Sequence, residues 1–295
     1  MPYYRRNLIV LSITIFMAAT SWNQILPFLP LFLKELGVKS GIAFWSGMLL
    51  SVQAITVAFS GPFWGKMADK YSRKLMTIRA GFCLALIYFG MSLCQSLWQL
   101  VLLRFLNGLL TGFIPGSLAL IATNTPKDEA GRYLSIAQTA NAIGGIAGPV
   151  VGGILAGVFG YRFSMAISGV AILIAMLLVL FLVEERYRAE ITQKTSIWRD
   201  YQLAIQMPTL QTVILAEVAG AVMTGAVLPI IPLYLEQIAQ GSVTTISGII
   251  FSLPGIAFVL TAYAWNRRGE KTTYPGVILA GLGGACLMML LQGFL

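Results

Sequence analysis

Histidine is absent from the 295 residues, and cysteine occurs only as Cys83, Cys94 and Cys286. Without His there can be no Ser-His-Asp triad and few of the usual zinc sites. The three thiols fall within or at the ends of apolar runs, without metal-ligand spacing, where a thiol acts as a small apolar side chain. Charge is also scarce. Asp, Glu, Lys and Arg make up 11% of the chain, against about a quarter in a soluble domain. With 57% hydrophobic residues and a mean hydropathy of +0.80, the composition is that of a polytopic membrane protein. The net charge of +9 would suit nucleic acid if it lay on one folded face. It is instead spread over short segments between apolar runs, which excludes nucleic acid as a partner.

Apolar runs of about twenty residues are long enough to cross a bilayer. They predict nine helices, at 8–33, 43–64, 75–94, 97–121, 134–158, 163–183, 210–235, 244–265 and 273–294. The first run follows Arg5 and Arg6 but is too long for a signal-peptide core, and no small-residue cleavage site follows it. Basic residues gather in the N-terminal arm and after helices 2, 4, 6 and 8, with Lys66 to Arg79 the densest group; the other side has only Lys34, Lys39 and Arg162. That asymmetry places the N-terminus in the cytoplasm. The expected fold class is all-α and multi-pass in the cell membrane: a six-helix bundle over 1–183, a cytoplasmic linker over 184–208 and three further helices over 209–295.

The sequence repeats itself. Pro27-Phe28-Leu29-Pro30-Leu31-Phe32-Leu33 returns as Pro229-Ile230-Ile231-Pro232-Leu233-Tyr234-Leu235, an offset of 202. Ser46-Gly47, Ser51 and Trp64 return as Ser247-Gly248, Ser252 and Trp265, an offset of 201. A six-helix unit duplicated in parallel is a transporter build. Two such units need about 400 residues by this offset, so the chain is expected to hold one bundle and half of a second. Such a chain is not expected to complete a transport cycle unaided.

Three segments carry candidate chemistry. Between helices 2 and 3, Gly65-Lys66-Met67-Ala68-Asp69-Lys70-Tyr71-Ser72-Arg73-Lys74 sets one carboxylate among four cations, with Gly65 allowing close backbone approach. A loop that merely fixes orientation needs positive charge but neither Gly nor Asp at fixed places. In helix 4, Arg104 lies well inside an apolar run, four residues before Gly108; an intramembrane Arg faces a partner or a cavity, or snorkels to the interface. In helix 5, Gly144, Gly148 and Gly152 form a flat stripe for helix contact. Gly148-Pro149 bends the helix, and Gly153 follows. This stripe can also be read as packing alone.

These segments resemble the motifs of the major facilitator superfamily. The pattern G-x3-D-[KR]-x2-[KR]-[KR] is similar to the loop between its helices 2 and 3, and R-x3-G to its helix 4 motif. The spacing G-x3-G-P-x2-G-G resembles the helix 5 signature of its twelve-helix drug–proton antiporters. There are departures: Asn107 stands where Gln is frequent, Ser135 where a further Gly is expected, and the second loop copy, Asn266 to Lys271, has no Asp at the equivalent place. The stretches Pro27 to Leu31 and Ala58 to Gly65 look closest to the MdtG/PmrA-like multidrug branch.

The resemblance implies a secondary transporter that exports small lipophilic or cationic drugs in exchange for protons, by alternating access, as a monomer when complete. No cofactor is implied beyond the proton gradient. Gly65, Asp69, Lys70, Arg73 and Lys74 would form a conformational latch and Arg104 would serve proton coupling. Glu217, the acid well inside a span, is a second coupling candidate; it has no catalytic partner, which speaks against an enzyme. Candidates for the walls of a drug cavity are Asn23, Gln24, Phe28, Gln53, Phe113, Gln138 and Asn141, with the amides Asn23 and Asn141 the costliest to leave in lipid. Two other readings stay open: a non-transporting remnant or regulatory fragment, and a solute importer of the same fold.

Overall fold

The computed structural model describes residues 2–186, 206–238 and 242–269, with single positions at 276, 281, 283, 284, 286 and 287. The first crossing is α1 (Tyr3–Asn23), a 3-10 turn (Leu26–Phe28) and α2 (Leu29–Glu35). The interruption falls where Pro27 and Pro30 withdraw two backbone N–H groups from the helical ladder. Then follow α3 (Ile42–Lys70), α4 (Arg73–Leu93), α5 (Leu97–Leu110), α6 (Phe113–Asn124), α7 (Lys127–Phe159) and α8 (Tyr161–Leu182). Beyond the linker stand α9 (Pro208–Val227), α10 (Ile230–Ile238) and α11 (Val243–Gly269). Among the described residues seven helical segments are long and apolar enough to cross a membrane. Most of the expected ninth helix, 273–294, and most of the linker lie outside the described residues.

Two further expected helices are divided. The one expected over 97–121 is broken between α5 and α6, because Gly112 has φ +132°, a backbone conformation that a side chain would strain. Pro115 falls in the first turn of α6, where no N–H has an intrahelical acceptor to lose. The one expected over 210–235 is split at Leu228 and Pro229 into α9 and α10. Arg79, grouped with the basic residues after helix 2 although the expected helix 75–94 contains it, stands in the second turn of α4, whose start Ser72 caps, its hydroxyl accepting from the N–H of Leu75 at 3.0 Å.

α1 packs along α7 and α8, α4 along α8, α3 along α5, and α11 along α7. Leu11, Ile15, Phe32, Met165, Ile172 and Val179 are fully buried in the resulting core. Large apolar side chains such as Phe59, Trp98 and Phe181 point outward, as bilayer-facing positions do. α1 and α8 are also tied by amides. The Asn7 side chain donates to the carbonyl of Glu184 at 2.7 Å and accepts from its N–H at 3.0 Å, and Gln24 donates to the carbonyl of Ser164 at 2.6 Å.

Candidate functional site

The break between α5 and α6 organises the interior. A central cavity of about 380 Å³ opens beside it, lined by Trp22 and Asn23 of α1, Val57 of α3, Thr111 to Pro115 and Asn141 of α7. A second cavity of about 450 Å³ lies toward the loop between α3 and α4, lined by Trp64, Gly65, Asp69, Arg73 and Arg79 among others. Val57, Thr111, Gly112 and Pro115 line both. The break therefore lies where the central cavity and this inner one adjoin.

Of the seven side chains expected to wall a cavity, Asn23, Phe113 and Asn141 do line the central one. Asn23 also donates to the carbonyl of Ala19 at 2.9 Å. Gln24, Phe28 and Gln53 do not line it. Gln24 is spent on α8, as above; Phe28 is buried with its ring stacked 5.4 Å from that of Tyr161. Gln53 accepts from Nη1 of Arg104 at 2.7 Å and donates to Asn107 at 3.4 Å. Gln138 is exposed, outside both cavities.

Arg104 is buried between α3 and α5, held by Gln53, with its Nε and Nη2 and the Nδ2 of Asn107 lacking acceptors among the described residues. Gly108 explains the rest of that motif. A Cβ there would collide with the Thr56 hydroxyl and lie 2.5 Å from the carbonyl of Gln53, so glycine lets α5 close on α3. Ser60 seals the contact by donating to the carbonyl of Gly108 at 2.8 Å.

In the loop, Asp69 accepts from Arg73 at 2.7 and 3.2 Å, and Arg73 donates further to the carbonyl of Ala119 at 3.1 Å. Lys70 lies over the Tyr71 ring at 5.2 Å. Gly65 corrects an expectation: a Cβ at Gly65 would meet nothing within 4 Å. It allows no close backbone approach here and instead leaves space in the inner cavity. Glu185 went unnoticed in the sequence. Its carboxylate accepts from the Ser72 hydroxyl, from the N–H of Arg73 at 2.9 Å and from that of Lys74 at 3.3 Å, a negative group on a helix N-terminus. Only its place just past α8 hinted at this.

The α7 glycines serve two partners. Cβ atoms at Gly144 and Gly148 would come within 2.6 and 2.7 Å of the carbonyls of Phe16 and Thr20, and one at Gly152 would overlap that of Gln24. That stripe faces α1. Gly153 faces α11, where a Cβ would lie 2.5 Å from the carbonyl of Thr244. Across the same seam Ser252 donates to the carbonyl of Ile146 at 2.6 Å, and Gly248 leaves room for the carbonyl of Pro149. The segment is thus a thin slab between α1 and α11. Glu217 is in α9, but its side chain lies outside the described residues.

The sequence model of the Major Facilitator Superfamily matches residues 11–295. Multidrug resistance protein MdtG of Citrobacter koseri is 32% identical over 300 aligned residues, which cover 99% of this chain and 73% of that protein. MdtG of Escherichia fergusonii is 30% identical, covering 99% and 72%. Among solved structures, a bacterial homologue of the human lysosomal transporter Spinster, inward-facing and unoccupied, superposes with a TM-score of 0.79 at 17% identity, over 92% of this chain and 64% of that one. The peptide transporter POT with sulfate superposes with a TM-score of 0.68 at 13% identity, over 90% and 70%. At those identities the two structures speak for the fold alone.

Proposed function

The chain belongs to the Major Facilitator Superfamily, and we propose that it serves the export of small lipophilic compounds in exchange for protons, by alternating access past the helix break at Gly112. The observation that carries this reading is the central cavity. It is of drug-cavity size, about 380 Å³, walled by Trp22, Phe113 and Leu84, with Asn23 and Asn141 as its amides. Apolar walls with a few placed polar groups suit lipophilic ligands. The multidrug resistance relatives support the same reading.

Proton coupling would divide between two groups. Arg104 keeps its proton at physiological pH, so its part is to hold a buried charge that, among the described residues, Gln53 meets at Nη1 alone. The carrier we propose is Glu217, a carboxylate inside a span, where ionisable groups mark proton and substrate paths. Asp69 and Arg73 would form the latch at the inner mouth.

Dye efflux from proteoliposomes under an imposed pH gradient tests this, with the chain alone and extended to the twelve helices that the repeat implies. The extended chain should expel dye only with the gradient. Arg104→Ala should abolish efflux, and Glu217→Gln should remove its pH dependence. Gradient-independent leakage, or none at all from the extended chain, would refute the proposal.

A further inference from the structure

The two amides of the central cavity are not alike. Asn23 donates to the carbonyl one turn back, that of Ala19, at 2.9 Å, and Asn124 does the same toward Leu120 at 3.3 Å. This is how a short polar side chain satisfies itself inside a helix. Asn141 does otherwise. It lies near the middle of α7 and makes no hydrogen bond among the described residues. Three residues on, a Cβ at Gly144 would stand 2.8 Å from that of Ala19. Asn141 therefore sits on the face of α7 that turns to α1, where the glycine seam gives out and the cavity begins.

On the α1 side of the same cavity, the indole N–H of Trp22 also lacks an acceptor among the described residues. Both groups are open to the cavity: the two side chains are half-buried and their polar atoms remain accessible, whereas the Thr20 hydroxyl of α1 is sealed. Packing alone does not call for this pair. Leu would fill the place of Asn141 without the cost of an unpaired amide at membrane depth, and Phe would supply an aromatic ring at 22 without a donor. An indole N–H only donates, and an amide brings an NH2 beside its one oxygen, so donors outnumber acceptors on these side chains. No ionised side chain among the described residues lines the cavity. What the pair can sense is an acceptor atom.

We propose that Trp22 and Asn141 hold and orient the substrate in the central cavity by donating to a carbonyl oxygen on an otherwise apolar compound. The proposal rests on the transporter reading and names the substrate feature that its cavity selects. The apolar body of such a ligand lies against Phe113 and Leu84. A compound of the same shape without the oxygen leaves the donors unmatched, which is how a few placed polar groups discriminate within apolar walls.

The test uses benzophenone and diphenylmethane, which differ in the carbonyl oxygen alone. Both are radiolabelled and measured by equilibrium dialysis against the full chain in lipid nanodiscs, as binding above that of protein-free discs. Wild type should prefer the ketone. Asn141→Leu and Trp22→Phe should each weaken ketone binding by roughly two- to tenfold, the size of one net hydrogen bond, and leave diphenylmethane bound as well as before or better. In both variants the infrared carbonyl stretch of bound benzophenone should move toward its value in hydrocarbon. Gln138→Leu, which removes an exposed amide of α7 outside both cavities, should change neither probe. Equal affinity of wild type for the two probes would overturn the assignment and leave the transporter reading standing. So would a loss of both probes together in Asn141→Leu, which would make that side chain a packing residue, or an equal loss of the ketone in Gln138→Leu. Binding of neither probe would count against both readings.

Discussion

Lys34 and Glu236 occupy the same position of two successive repeats, 202 residues apart, and their side chains meet at 2.5 Å. Equivalent points of a two-fold pair can touch only beside the axis that relates them. The contact therefore puts the axis between the ends of α2 and α10, at the end of the bundle away from Asp69. Two lysines there would repel; the Lys and Glu attract. Both side chains are about 40% exposed, so the bridge itself is worth about 0–1 kcal/mol. Its value is as a marker of closure at that end. With the native cysteines replaced, Lys34→Cys and Glu236→Cys together should cross-link rapidly with a short bifunctional thiol reagent, whereas Lys39→Cys with Glu236→Cys should not. Equal yields from the two pairs would mean that α2 and α10 do not close as described.

The α7 glycines make a sharper prediction, because glycines of one helix should respond oppositely to the same change. Alanine in a helix interior gains about 1 kcal/mol of propensity over glycine. At Gly131 a Cβ meets nothing within 4 Å, so Gly131→Ala should raise the thermal midpoint in detergent. At Gly148 a Cβ would stand 2.7 Å from the carbonyl of Thr20 and 2.8 Å from Cβ of Asn23. Overpacking costs roughly 1–3 kcal/mol, which outweighs the propensity gain. Gly148→Ala should lower the midpoint, and Gly152→Ala should lower it further, since a Cβ there overlaps Gln24.

Much of this was legible in the sequence, and the failures have physical reasons. Eight of the expected helices begin and end within several residues of the observed ones, because apolar length is what hydropathy measures. Hydropathy is blind to φ, so the break at Gly112 passed unseen inside an unbroken apolar run. Arg79 was counted with the loop's cations although the expected helix 75–94 contained it, because the first two turns of α4 are themselves charged. Asn23 and Asn141 could be picked out because an amide in lipid is costly. Gln24 and Gln53 satisfy the same criterion, yet their amides are met by α8 and by Arg104. Nothing in one helix tells which neighbour its polar face will find.

Asp69 separates stability from conformational work. It pairs with Arg73 across the turn from α3 into α4, at 51% and 18% side-chain exposure, and such pairs are worth less than about 1 kcal/mol. Asp69→Asn should leave the thermal midpoint nearly unchanged, since Glu185 still holds the start of α4. If the pair is a latch, efflux by the extended chain should nevertheless fall by tenfold or more, as an order of magnitude for about 1.4 kcal/mol of coupling. Wild-type efflux from this variant would leave the pair a local cap and nothing more.

Glu184 gives the fold a dependence on pH whose sign can be worked out. Its carboxylate is held by Arg6, and by Nε and Nη2 of Arg186 at 3.1 and 2.8 Å. Hydrogen bonds from Arg6 first, then Arg186, keep its pKa below the ordinary carboxylate value. A pKa lower in the folded than in the unfolded chain means that the unfolded chain binds the proton first as pH falls. The contribution is therefore complete above the ordinary carboxylate range and disappears as pH drops through the lowered folded value. The group is exposed, so the effect should be small and should shrink further in high salt. Glu184→Gln cannot titrate, yet it keeps the backbone contacts with Asn7 that dock α1 on the end of α8. Thermal unfolding of wild type and Glu184→Gln should differ by a steady amount near neutrality, and the two curves should converge as pH falls below the ordinary carboxylate range. A difference that persists unchanged into acid would show that the ion pairs with Arg6 and Arg186 do not set this carboxylate.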